Sequence, residues 1–316
     1  MLCALMVLLV AVLLGIGLGP AGWSWNVGNN ILWNVRMPRV ALAGLVGAML
    51  SLAGATYQGV FRNPLVDPYL LGVAAGAGLG ATAVFAIGVS RFDGWVISPV
   101  PIASFIGGTV AVAITYGVGT RFAAGDGGST GLVLAGVAVG SLFTAIQTFV
   151  LQRNTDVIRE VYSWILGRFN SASWADSRLV LPYVVVSAFI LLLHSRQIDV
   201  MRVGDDEAQT LGLNVRQTRL LLVFAATLGT AAAVSVSGLI GFVGIVVPHV
   251  VRLVAGTTYR RILPLSFLFG AAFMVLADLL GRTVLRPQEL PIGVVTAFIG
   301  APFFLAMLVR SRGAQT

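Results

Sequence analysis

An all-α polytopic membrane protein of about ten transmembrane helices is the architecture this sequence predicts, and three observations predict it. Hydrophobic residues make up 57% of the 316-residue chain, charged residues only 10%, and mean hydropathy is +0.93. Several uncharged runs approach roughly 20 residues, the length with which a helix crosses about 30 Å of hydrocarbon. The runs are continuous rather than alternating, and in lipid a helix satisfies its own backbone where an open strand does not.

The spans follow in order. Leu2–Leu18 lacks the positive leader and the A-x-A site of a signal peptide, so it reads as a retained span. Val40–Val60 and Tyr69–Val89 flank a segment in which Pro64 and Pro68 stop one helix and Asp67 can cap the next. Gly72, Gly76 and Gly80 form a GxxxGxxxG series, which lets helix backbones approach closely. Val96–Val118 and Leu132–Leu151 are the fourth and fifth spans. The stretch Gln152–Arg178, with Trp164 and Trp174 among mixed charges, reads as an interfacial hairpin or short helix on the outer side. Leu179–Leu193 is the sixth. The run Leu220–Val251 carries no formal charge and would stretch about 48 Å as one helix, too far for a single crossing. It should break near Ser235–Gly238 into Leu220–Val236 and Leu239–Val254. Ile262–Leu280 and Leu290–Val309 complete the set. Residues 1–316 thus read as one transmembrane domain, with a polar loop at about 195–219.

Charge and rare residues exclude several functions. All 20 cationic side chains are arginine, and the net charge is +8. They lie mainly near span ends, where membrane lipid and topology account for them, so nucleic acid is not an expected partner. Without a lysine the chain has no P-loop and cannot hydrolyse ATP by that route. Cys3 is alone, and His194 and His249 are too few for an ordinary zinc site. No GxSxG or HExxH occurs, so neither an enzyme nor a cofactor or metal in this chain is expected. Arginine topology does not orient the bundle: with both termini inside, 11 of the 20 fall inside and 9 outside.

One polar island stands out. Gly204–Gly212, GDDEAQTLG, carries Asp205, Asp206 and Glu207, three of the twelve acids in the chain. Acids at a helix start favour its dipole, and Ala208 and Leu211 lie three apart, as on one face that could enter a groove. By itself the island could equally be a solvated loop.

Four further strings accompany it in order: FRNPLVDPYLLGVAAGAGLG (Phe61–Gly80), STGLVLAGVAVG (Ser129–Gly140), GFVGIVVPHVVRLVAG (Gly241–Gly256) and ELPIGVVTAFIGAPFF (Glu289–Phe304). Together they resemble the permease subunits of ABC importers for cobalamin, ferric siderophores and haem, from about Arg36 to Arg310. The resemblance implies a ten-helix subunit of a homodimer in the bacterial cytoplasmic (inner) membrane, both termini cytoplasmic. Its partners would be two ATP-binding-cassette ATPase subunits, which hold ATP and Mg, and an extracytoplasmic substrate-binding protein.

The family's loop between the sixth and seventh spans forms two short helices that sit in a cleft of the ATPase. The matching residues are Asp205, Asp206, Glu207, Ala208, Gln209, Leu211 and Gly212. Arg36, Arg39 and Arg282 match arginines that meet the binding protein, although interfacial anchoring would also suit them. Asp278, four residues before Arg282, stands in the favourable order for a helical ion pair. Asn63, Leu65, Ser129 and Thr130 match a cytoplasmic gate, and the same residues could simply cap helices. His249 could face haem iron; after Pro248 it more readily serves freed backbone. The implied cargo is a metal chelate, with ferric siderophore favoured over cobalamin and haem. An ion-coupled secondary transporter is the alternative of another class, and only Asp278 could serve it as an intramembrane acid.

Overall fold

Ten long helices and three short ones follow one another in the computed structural model, which describes residues 1–19, 22–23, 29–88, 98–122 and 128–313. The long ones are α1 (Leu2–Gly17), α2 (Met37–Val60), α3 (Val73–Ile87), α4 (Pro99–Phe122) and α5 (Gly128–Arg153), then α7 (Trp174–Leu193), α10 (Val215–Ser237), α11 (Val243–Ala255), α12 (Tyr259–Thr283) and α13 (Ile292–Gly313). The short ones are α6 (Ile158–Ile165), α8 (Ser195–Met201) and α9 (Asp205–Thr210). A three-residue helical start, Asn29–Ile31, and a π-helical turn, Leu32–Arg36, lead into α2. The only strands among the described residues are Leu18–Gly19 and Gly22–Trp23, two residues each. The all-α polytopic prediction holds. Six helices are long and apolar enough to cross a membrane, and four shorter apolar helices accompany them.

Two expected boundaries move for identifiable reasons. The third span starts at Val73, not Tyr69, because Pro68–Leu71 forms a 3-10 turn capped by Asp67 and closed by Gly72 at φ +89°. The eighth starts at Val243, not Leu239. Gly238 (φ +72°) ends α10 where the break was expected, and Phe242 (φ +69°) reopens the helix four residues later. At about 1.5 Å per residue, α3 and α11 each fall short of a bilayer, so unwound backbone must complete both crossings. Such backbone needs partners inside the protein. Tyr69 supplies them, its hydroxyl donating to Ile240 O and accepting from Ile240 N, both at 3.0 Å. Val89 and Val96, expected ends of the third and fourth spans, lie outside the described residues.

Helix α2 is the hub, buried along nearly its whole length between α10, α11 and α12. Lipid tails are as apolar as leucine, so close packing rather than water exclusion holds such helices together. Glycine makes the approach possible. A Cβ on Gly54 would strike the Gly244 carbonyl of α11, and Gly76 and Gly80 meet the Gly107 and Ala103 carbonyls of α4 in the same way. The GxxxGxxxG series is bundle packing. The short helix expected within Gln152–Arg178 is α6; Trp164 lies on its inner side, 4% exposed within the core, while Ile158 and Tyr162 face outward.

Cross-chain bonds sort the loops into two ends. At one, Arg62 meets Asp205, Arg202 meets the Thr257 carbonyl and the Tyr259 N–H meets Asp199. At the other, Arg39 meets Asp278 and Glu289, Arg36 meets Ile16 O and Gly17 O, and the Trp174 indole donates to Trp33 O. We refer to these as the Gly204 end and the Arg39 end.

Candidate functional site

The Gly204 end carries two short helices, α8 and α9, joined through Arg202–Gly204. Gly204 has φ +154°, and a Cβ there would collide with the Glu207 carboxylate. Glu207 therefore folds back over the start of α9, where the helix dipole favours an acid. Asp205 accepts from Arg62 Nη2 at 3.0 Å and from Arg219 Nη2 at 2.8 Å, bracing α9 against the loop after α2 and the first turn of α10. Asp206 is exposed, with no charged partner among the described residues. The three acids thus divide into a brace, a carboxylate folded over the helix start and an exposed surface charge.

The shared face expected for Ala208 and Leu211 does not exist. Ala208 is 0% exposed and packs inward, whereas Leu211, just past the last turn of α9, is 70% exposed. Helical spacing put them together, but α9 is only six residues long and ends before the pair completes a face. Gln209 is exposed, and Gly212 (φ +83°) turns the chain into Asn214, which caps α10. The outward apolar pair at this tip is Leu211 and Val203, the latter 67% exposed. Val203 lacked any sequence signal, because one valine before a glycine is unremarkable in so apolar a chain.

The loop after α2 is built on backbone bonds. Arg62 occupies the left-handed region (φ +52°), and the bonds Asn63 N to Gln58 O and Arg62 N to Gly59 O close the helix end. Asn63 Oδ1 accepts from Leu65 N at 2.9 Å, so its amide shapes the turn. Leu65 is exposed. Ser129 and Thr130 lie in the first turn of α5, and their side chains are outside what the structure describes.

At the Arg39 end the three arginines expected on the surface are turned inward. Arg36 is 6% exposed, its Nη1 donating to Ile16 O and Gly17 O at the end of α1. Arg282 is 2% exposed, donating to Gly15 O at 2.7 Å and standing 3.5 Å from Asp278. Arg39 grips Asp278 through Nε and Nη2 at 2.9–3.0 Å and reaches Glu289 at 3.0 Å. Charges at this depth are stable only when paired, and pairing across 239 residues of sequence is invisible to a linear reading. Asp278 was expected to pair with Arg282; Arg39 is its closer partner. The acid a secondary transporter would need is held between two arginines. A cavity of about 300 Å³ opens beside this cluster, with Arg39, Arg159 and Arg168 on its wall.

A second cavity, about 1040 Å³, lies along α3 and α5, lined by Tyr69, Gly72, Gly136, Gly140, Thr144 and Gln147. Gln147 is anchored by its bond to Thr82 Oγ1 (3.0 Å). His249 meets the Phe303 ring edge-on at 5.5 Å, a packing contact between α11 and α13. Among the described residues no three His, Cys, Asp or Glu side chains cluster as metal ligands.

The sequence profile of the FecCD transport family matches residues 3–310. The cobalamin import system permease protein BtuC of Halobacterium salinarum is 41% identical over 278 residues, 88% of this chain and 73% of that one. The hemin transport system permease protein HmuU of Yersinia pestis is 36% identical over 323 residues, 99% of this chain and 96% of that one. Among solved structures, an inward-facing ABC transporter assigned to the metal-chelate type superposes with a TM-score of 0.88 at 27% identity, covering 98% of both chains.

Proposed function

This chain belongs to the FecCD transport family and is a multi-pass membrane permease of an ABC importer for cobalamin, haem or metal chelates; we propose that its cargo is a ferric siderophore, carried inward through a homodimer in the bacterial inner membrane. Support for a metal chelate comes from the structural neighbour of that type, and the siderophore is our choice within that class, which the uptake assay below tests. The exposed apolar side chains of α5 (Leu134, Val137, Leu142 and Phe149), next to the 1040 Å³ cavity, suit a second copy of the chain across a shared pathway.

The observation that carries the mechanism is the tip of the Gly204 end. Leu211 and Val203 are apolar and exposed, Asp206 and Gln209 flank them, and Asp205 ties them to α10 and the end of α2. A soluble ATPase subunit that accepts this tip would move both helices through the Asp205 brace. ATP and Mg belong on that subunit, and the permease itself is non-catalytic. The Gly204 end then faces the cytoplasm. On the other face, Arg159 and Arg286 stand exposed and Arg39 lines the adjoining cavity, so acidic residues of a binding protein would meet the first two before reaching the third. Asn63 and Leu65, with Ser129 and Thr130, are proposed as the cytoplasmic gate.

The test is reconstitution of the full chain with its ATPase and binding protein in liposomes, offering a ferric siderophore, cyanocobalamin and haem in turn. ATP-dependent uptake of the siderophore alone is expected. Uptake of only one of the other two would correct the cargo. Uptake of none, or uptake indifferent to ATP and abolished by an ionophore, would overturn the mechanism.

A further inference from the structure

A cavity of about 320 Å³ sits at the Gly204 end between the end of α2, the α8–α9 linker and the α11–α12 turn. Three guanidinium groups line it, those of Arg62, Arg202 and Arg252, with Gln58, Thr257 and Tyr259, and no lining residue is acidic. Among the described residues only Arg62 of the three has a carboxylate partner, and it shares Asp205 with Arg219. Arg202 donates to the Thr257 carbonyl at 2.6 Å and lies over the Tyr259 ring, 5.6 Å from its centre. Arg252 donates through Nη2 to the Gln58 amide oxygen and, at 3.4 Å, to the Tyr259 hydroxyl. Its Nη1 is buried without any acceptor.

Buried donors without acceptors also occur at Arg219 Nε and Arg282 Nε; what sets this cavity apart is its wall, where neutral groups hold Arg202 and Arg252 and the chain sets no carboxylate against either among the described residues. Arginine forks match the oxygens of a phosphoryl group in pairs, and basic pockets between membrane helices suit the headgroups of anionic lipids.

We propose that this cavity binds a phosphoryl group between Arg202 and Arg252, with Arg62 at its rim, supplied either by an anionic phospholipid or by inorganic phosphate. The bound group would join the α8–α9 linker to the α11–α12 turn, a connection that the chain otherwise makes through Arg202 and Asp199. It would therefore hold the Gly204 tip in register with the helices it moves. The reading concerns this chain alone and does not depend on which chelate is carried.

Delipidated full-length chain in neutral detergent would be titrated with inorganic phosphate and with chloride at matched ionic strength, the thermal midpoint being the readout. In parallel, chain taken from vesicles of phosphatidylglycerol and phosphatidylcholine would be assayed by native mass spectrometry for retained lipid. Phosphate should raise the midpoint more than chloride does, or phosphatidylglycerol should be retained selectively. Phosphate binding without retained lipid assigns the free anion, and retained lipid displaced by phosphate assigns the headgroup. The Arg202→Gln/Arg252→Gln variant should lose at least about tenfold in affinity for either. Because that variant could fail to fold, Arg202→Lys/Arg252→Lys, which keeps the charge but not the fork, should weaken phosphate binding about tenfold and leave the chloride response unchanged. Equal responses to phosphate and chloride without selective lipid retention overturn the proposal, as does undiminished binding in the lysine variant. A response to polyglutamate but to neither phosphate nor phosphatidylglycerol would assign the pocket to an acidic protein partner instead.

Discussion

The two ends of this bundle use the same residue, arginine, to opposite effect. At the Arg39 end, Arg39 and Arg282 converge on Asp278 from two helices, Glu289 completes the set, and Arg36 ties down α1 through backbone carbonyls. Asp278, Arg39 and Arg282 are buried together, and Glu289 closes the set from a partly exposed position. At the Gly204 end, Asp205 serves Arg62 and Arg219, while Arg202 and Arg252 have no carboxylate among the described residues. There too Leu211 and Val203 face outward. At the Arg39 end the buried arginines are met by their own chain and only surface arginines such as Arg159 and Arg286 are left to a partner; at the Gly204 end even the cavity-lining Arg202 and Arg252 lack a carboxylate. Pairing, rather than the number of arginines, distinguishes the braced interior of one end from the open interior of the other.

That contrast is broken most severely at Asp278. Asp278→Ala would leave buried Arg282 without a carboxylate and Arg39 with Glu289 alone, and should cost about 3–5 kcal/mol, read as the unfolding midpoint in detergent. A loss below about 1 kcal/mol would mean that the cluster is no brace. Next comes Tyr69→Phe, which leaves the N–H and carbonyl of Ile240 without their partner and should cost about 1–3 kcal/mol by the same assay. At the open end the effects on stability shrink. Asp205→Ala removes a partly exposed network and should cost about 1 kcal/mol, yet reduce ATP-driven uptake by loosening α9 from α10. Leu211→Ala should change stability by less than about 0.5 kcal/mol, because the side chain is 70% exposed, while uncoupling ATP hydrolysis from uptake. Unimpaired uptake by the Leu211 variant would remove the tip from the coupling surface.

Much of the fold was legible because hydropathy and backbone-breaking residues act locally. The ten apolar runs, the break at Gly238 and the cap by Asp67 all follow from side chains within a few positions of one another. The position of the polar helices was equally local, since three adjacent acids after a glycine mark a helix start. The site itself was less legible. Ala208 turned inward because its neighbours in space belong to other helices, and Arg36, Arg39 and Arg282 turned inward because carboxylates and carbonyls distant in sequence receive them.

By itself, then, the sequence determined a membrane-embedded helical bundle, where its chain must reverse, and which loop is too charged to be buried. Transfer into lipid and backbone satisfaction act on each segment separately, so these properties needed no partner. Tertiary structure alone decided which arginines were neutralised. A guanidinium group is buried or left open according to the oxygen that meets it, and packing brings that oxygen from another helix.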